Sequence, residues 1–202
     1  MGMVAPKFGR TRMNARALPV TTLLVIGLLA LLAPSTALAQ QPASLAPYVP
    51  TPQDVVNRML ELADVTEDDV VYDLGCGDGR IVITAAQRFG ARGVGIDFDP
   101  ERIAEANANA ARAGVQDLVT FIEQDAMAAN VSEATVVTLY LLSSSNMKLR
   151  PMLTSQLRSG SRIVSHAFTM GDWQPDETNQ FEDERGNRRT LYLWRTDGTE
   201  RP

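Results

Sequence analysis

The chain has 202 residues, 45% of them hydrophobic and 21% charged, with 14 Gly, 11 Pro, one Cys and one His. That is one domain of ordinary globular composition, and Cys76 and His166, each alone of its kind, exclude an internal disulfide, a clustered-thiolate zinc site and a multi-histidine centre, so no metal is expected. The formal charge is −5, but residues 1–39 hold Lys7, Arg10, Arg12 and Arg16 and no acid; the other 163 residues carry 15 basic and 24 acidic groups, a net of −9, which argues against a nucleic-acid partner.

After Arg16 an apolar core spans residues 21–33 and Ala37-Leu38-Ala39 offers a small-residue cleavage site. This is the pattern of a secretory signal peptide, and the core is shorter than the ~20 residues a spanning helix needs. Cleavage after Ala39 and export to the periplasm or medium are expected. The alternative is an uncleaved membrane anchor, which would be the only membrane contact. Residues 40–50 read as a Pro-rich linker and residues 51–202 as the domain.

The domain opens with a helix that Thr51 is expected to cap, with Pro52 at its first position and Val55, Val56, Met59, Leu60 and Ala63 as its buried stripe. Val70 to Leu74 is an apolar, β-branched run, the pattern of a strand buried on both faces. A helix follows from Arg80 to Phe89, closed by Gly90, then a strand at residues 93–96. The next helix enters through Asp99-Pro100-Glu101, with Asp99 as its cap, and ends at Gly114; a third strand spans Leu118 to Ile122. Val136 to Leu142 is a fourth strand, and a serine run leads into a helix that Gly160 ends. Arg162 to His166 is a fifth strand, and residues 180–184 and 190–194 form a closing antiparallel hairpin. The pattern predicts an α/β fold: a Rossmann-like open, mostly parallel sheet with helices on both faces.

The informative stretch is Asp73-Leu74-Gly75-Cys76-Gly77-Asp78-Gly79-Arg80, where a strand runs through a glycine-rich loop into a helix. Ligands of open α/β sheets bind outside the carboxyl ends of strands, and glycine lets the backbone approach them. The dinucleotide fingerprint needs a third glycine where Arg80 stands, and Asp73 suits a cationic ligand better than a pyrophosphate. Asp97, at the end of the second strand, is placed to accept ribose hydroxyls, and Asp125, after the third, to accept from an adenine amine. Taken singly, Asp97 and Asp125 also read as caps. Asp78 reads equally as a cap of the helix after it, and Cys76 as a small apolar filler.

Residues 70–126 resemble the motifs of class I S-adenosylmethionine-dependent methyltransferases. The resemblance implies S-adenosyl-L-methionine as cofactor, with Asp73 facing its amino acid portion beside Gly75, Gly77 and Gly79, Asp97 on the ribose and Asp125 on the adenine. Residues 47–52, 73–80 and 139–142 are similar, more narrowly, to the lysine N-methyltransferases of the ATP-synthase c-subunit and adenine nucleotide translocase and to their bacterial relatives. That likeness implies a lysine-bearing protein as acceptor. Tyr140 is the candidate for lining the acceptor pocket, and Tyr140-Leu141-Leu142-Ser143 lacks the Asn/Asp-Pro-Pro-Tyr/Phe segment of enzymes that methylate planar nitrogens. His166, at the end of the fifth strand, is a second catalytic candidate, although a lone imidazole reads more readily as a structural histidine. The competing readings are a small-molecule methyltransferase and a non-catalytic nucleotide-binding domain, since an exported chain leaves the cytosol where the cofactor is made.

Overall fold

A computed structural model describes Gly2 and residues 45–202; the expected signal segment and residues 40–44 lie outside the described residues. In chain order the elements are α1 (Gln53–Leu62), β1 (Val70–Leu74), α2 (Arg80–Phe89), β2 (Arg92–Asp97), α3 (Pro100–Ala113), β3 (Val119–Glu123), β4 (Val136–Leu139), α4 (Ser143–Gln156), β5 (Arg162–His166), β6 (Glu177–Glu182) and β7 (Arg188–Arg195). The strands form one sheet in the order β3-β2-β1-β4-β5-β7-β6. The first five run parallel and β7 runs antiparallel to both its neighbours, β5 and β6, so the expected mixed sheet with a closing hairpin is the one found.

Period-two alternation splits the strand residues between two apolar layers. Val71, Val136 and Val164 meet Val55, Met59 and Leu60 of α1 and Ile81 to Ala86 of α2. Tyr72, Leu74, Val137, Leu139 and Ile163 meet Leu149 and Leu153 of α4 and the fully buried Trp194. All five residues of β1 are therefore buried, as their apolar run requires. Among the described residues no helix is long and apolar enough to cross a membrane.

Besides shifts of the third strand by one residue and of the hairpin strands, expected at 180–184 and 190–194, to Glu177–Glu182 and Arg188–Arg195, three features depart from the sequence reading for a local reason. Thr51 does not cap α1: Pro52 occupies that position with ψ 146°, and the Thr51 carbonyl instead accepts from Arg80 Nη1 at 2.8 Å. The last ladder partner in β4 is Leu139, opposite Ser165, so Tyr140 lies beyond the strand, free of the sheet's pairing. α4 ends at Gln156, and Gly160 shapes the turn into β5, its amide donating to the Thr196 carbonyl at 2.7 Å. Asp99, by contrast, caps α3 as expected, accepting from the Glu101 amide at 2.8 Å.

Between β1 and β4 the strand order reverses, which opens a crevice at the carboxyl ends of these strands. The opposite end of β1 is closed by a buried ion pair. Arg162 bonds Asp69, which also accepts from Thr135 Oγ1 at 2.6 Å and the Thr66 amide at 2.8 Å. Burial alone would raise the Asp69 pKa, but the bonds from Thr135 and Thr66 and the Arg162 charge outweigh it and hold the carboxyl below its ordinary range. The pair therefore stabilises the fold above the ordinary aspartate pKa, and its contribution is lost as the pH falls through the lower folded value. Arg162→Met should lower the unfolding free energy by about 3 kcal/mol near neutral pH and flatten this acid limb, as read by urea unfolding at several pH values.

Candidate active site

β1 delivers Asp73 to the crevice and the chain then turns through Gly75 to Gly79 into α2. The Gly75 and Cys76 amides donate to the Ile96 carbonyl at 2.8 and 3.0 Å, which ties the loop to β2. Beside this loop lies a cavity of about 290 Å³, lined by Asp73, Gly75, Gly77, Asp97, Asp125 and Tyr140 among others. Gly79 and His166 do not line it.

Each sequence candidate has a definite local setting. Gly77 has φ 52°, and a Cβ there would lie 2.5 Å from the Tyr48 ring, so only glycine allows that ring onto the loop. Gly79 is required for another reason: it precedes α2 at φ 79°, and a Cβ would lie 2.6 Å from Phe121. Asp97 accepts from the Gly77 amide through Oδ2 at 2.9 Å and from the Asp99 amide through Oδ1 at 3.1 Å. A carboxylate oxygen has two lone pairs, so both oxygens can still accept from a ligand. Asp125 caps the 3₁₀ turn Ala126–Ala128, accepting from the Met127 amide at 2.9 Å, while remaining on the cavity wall. Asp78 is ion-paired to Arg80.

Five carboxylates, of Asp73, Asp78, Asp97, Asp99 and Asp125, thus share one cavity with two guanidinium groups, of Arg80 and Arg102. Asp73 is 3% exposed and accepts from Thr138 Oγ1 at 2.8 Å. Burial, reinforced by the charges of Asp97 and Asp78, pushes its carboxyl up to about 7 against the opposing Thr138 bond. Cys76 is buried, and desolvation with the same carboxylates drives its thiol far above the ordinary range, so it is no nucleophile. The other walls are apolar: Ile96, Phe98, Ala126 and Leu141. Glycine-bared backbone, clustered carboxylates and an apolar wall fit a ligand that joins a cationic group to a flat ring.

Residues 45–51, most of which read as linker, line the same cavity. Leu45 and Ala46 pack against the core, and the Leu45 carbonyl accepts from Ser145 Oγ. Tyr48 lies over Gly77, and the Arg102 guanidinium stands 4.7 Å from its ring centroid. The available signal was Pro47, Pro50 and Pro52, whose fixed φ pre-sets an extended strap. Tyr140 lines the cavity, and behind it stands His166, 1% exposed, with ring centroids 4.1 Å apart and planes at 28°.

Residues 73–177 match the family described as the ANTKMT methyltransferase domain. The chain is 48% identical to a protein-lysine N-methyltransferase of Saccharolobus islandicus, covering 73% of this chain and 92% of that protein. It is 32% identical to the adenine nucleotide translocase lysine N-methyltransferase of Mus musculus, covering 64% of this chain and 56% of the relative, so it spans about half that enzyme. Among solved structures it resembles an RNA methyltransferase from Salinibacter ruber in complex with S-adenosyl-L-homocysteine, at 58% identity and TM-score 0.70, over 76% of this chain and 97% of that one.

The raised Asp73 carboxyl makes stability depend on pH. Folded Asp73 keeps its proton up to about 7, whereas the unfolded chain releases it near 3.8, so without ligand the fold weakens as the pH rises between these values. The linkage has a ceiling on the order of 4 kcal/mol. Asp73→Asn should remove that part of the slope, so that urea titrations of variant and wild type diverge with increasing pH in favour of the variant.

Proposed function

Because the chain belongs to the ANTKMT methyltransferase-domain family and is an S-adenosylmethionine-dependent methyltransferase, we propose that its acceptor is a lysine side-chain amine of a protein. We further propose that Asp73, Gly75, Gly77, Asp97 and Asp125 hold the cofactor and that Tyr140 flanks the acceptor. The observation that carries the reading is the cavity's acidic lining, five aspartates against two arginines, which favours a cationic cofactor and a basic acceptor segment together. The 48% identity to a lysine enzyme supports the same acceptor. The Salinibacter protein is described as an RNA methyltransferase, but a net charge of −9 over residues 40–202 and Leu141-Leu142-Ser143 after Tyr140 favour the protein acceptor here.

When bound, S-adenosylmethionine supplies a methyl group on an already activated sulfonium. The chain's own task is therefore alignment and exclusion of water rather than acid catalysis. Asp73 accepts the cofactor's cationic end, and a bound cation draws its carboxyl toward the ionised form. Asp97 fixes the loop through the Gly77 amide and keeps lone pairs for the ribose hydroxyls. The Tyr48 strap covers the loop, and the apolar side around Leu141 disfavours the ammonium form of an entering lysine, so that the neutral amine attacks.

Asp97→Ala should weaken cofactor binding by about 1.5–3 kcal/mol for each charged hydrogen bond lost, measured by titration calorimetry, and equal binding would defeat the assignment. Tritiated methyl transfer to envelope proteins or basic peptides, with the modified residue mapped, tests the acceptor. Label confined to a nucleobase, a carboxylate or a small molecule rejects lysine and leaves the cofactor standing. Tyr140→Phe run alongside separates a hydroxyl contact from packing. We also propose, from the basic, apolar and Ala-x-Ala pattern of residues 1–39, that the chain is exported and cleaved. Mass spectrometry of the protein from its own host should find Gln40 as the first residue, and an intact amino terminus in the cytosol would overturn export.

A further inference from the structure

We propose that His166 is a positioning residue for methyl transfer, an uncharged imidazole that, with the strained turn after it, holds the Tyr140 ring at the acceptor end of the cavity. The inference rests on the methyltransferase reading, though not on lysine being the acceptor.

Tyr140 is the first residue past the β4 ladder, and so no backbone pairing fixes its ring. Two neighbours do. The His166 imidazole stacks on it at 4.1 Å between centroids, and the Phe168 ring meets it at 6.3 Å with planes tilted by 33°. Phe168 reaches this position through an unfavourable backbone turn: Ala167 has φ 66°, and the Phe168 amide donates to the His166 carbonyl at 2.9 Å. A residue with a Cβ avoids that region, and strain of this kind persists only where surrounding groups enforce it.

Here the enforcing groups are buried. Ser165 Oγ donates to the Phe168 carbonyl at 2.7 Å, and Asn146 Nδ2, on α4, donates to the same carbonyl at 3.2 Å. From the other side the Ala167 amide donates to the Thr190 carbonyl of β7 at 2.8 Å. Packing alone does not explain the arrangement, because Ala167 is exposed and Phe168 only half-buried. What the turn and the imidazole share is contact with the Tyr140 ring.

His166 is unsuited to proton transfer. It stacks on Tyr140 rather than lining the cavity, and its Nδ1 is buried without a hydrogen-bond partner. The ionisable groups facing it are Tyr140 from the end of β4, Arg189 from β7 and Asp183 from the hairpin turn. Burial, then the Arg189 charge, outweigh Asp183 and hold the imidazole down at about 4, so it stays neutral in the working range.

The test compares His166→Ala and His166→Phe with wild type in the full chain. Tritiated methyl transfer is read on whichever acceptor the wild type modifies, and S-adenosylhomocysteine binding by calorimetry. His166→Ala should lower kcat by about tenfold or more with binding within about twofold of wild type, and His166→Phe, which restores a flat ring, should recover to within about threefold. Wild type and His166→Phe should share one pH profile between about 6 and 9, since the imidazole does not titrate there. Wild-type kcat in folded His166→Ala would overturn the proposal. So would a folded His166→Phe as slow as His166→Ala, or a wild-type limb absent from His166→Phe. Failure of the wild type to bind S-adenosylhomocysteine would instead strike the methyltransferase reading, so the two failures are distinguishable.

Discussion

The hydrogen bond from Thr138 to Asp73 joins the two strands between which the sheet reverses its order, and the site depends on it. It lies at the floor of the crevice, both side chains buried, and it orients a carboxyl group that would otherwise have no side-chain partner there. Everything else in the cavity is arranged around that buried acid. The glycine loop leaves directly from its strand, Asp97 enters from the next strand through the Gly77 amide, and the register that pairs Asp73 with both Gly95 and Thr138 brings these parts together.

The strap formed by residues 45–51 follows from the same loop. Because Gly77 has no Cβ, an aromatic ring can lie on the backbone itself, and the Arg102 guanidinium stands over that ring. The proline-rich stretch is held by chemistry it does not carry: Ser145 from α4, Arg80 from α2 and Arg102 from α3 each contribute one contact. The extended backbone suits this role because it makes no internal ladder and turns its carbonyls to outside partners, as Leu45 and Thr51 do.

Much of this was legible in the sequence, since period and punctuation are local properties. The β-branched run at Val70, the glycines that close α2 and α3, and Asp99 before Pro100 all act where the pattern puts them. What escaped depends on tertiary partners. Gly79 looks like part of a ligand loop, yet it is Phe121, from a strand forty residues later, that forbids a side chain there. Asp125 reads both as a cap and as a ligand group, and the structure shows the cap while leaving the residue on the cavity wall. His166 reads as a cleft residue because it ends a strand, but the neighbouring strand stops earlier and Tyr140 comes to stand in front of it. A linker composition, likewise, cannot reveal that three helices await the segment.

The two ends of the cavity are built on opposite principles. Around Asp73 the charges crowd one another, so that the empty site is electrostatically unfavourable and a bound cation relieves it. Around Tyr140 the contacts are of another kind: its ring meets two others without paired charges, beside a strained turn. A transfer reaction can use both. On the proposed assignment, binding energy from the charged end would order the cofactor, while the Tyr140 end would contribute alignment. On this division, substitutions at the charged end act first on cofactor affinity and those behind Tyr140 on turnover, even though Thr138 and Tyr140 are only two residues apart in the same segment.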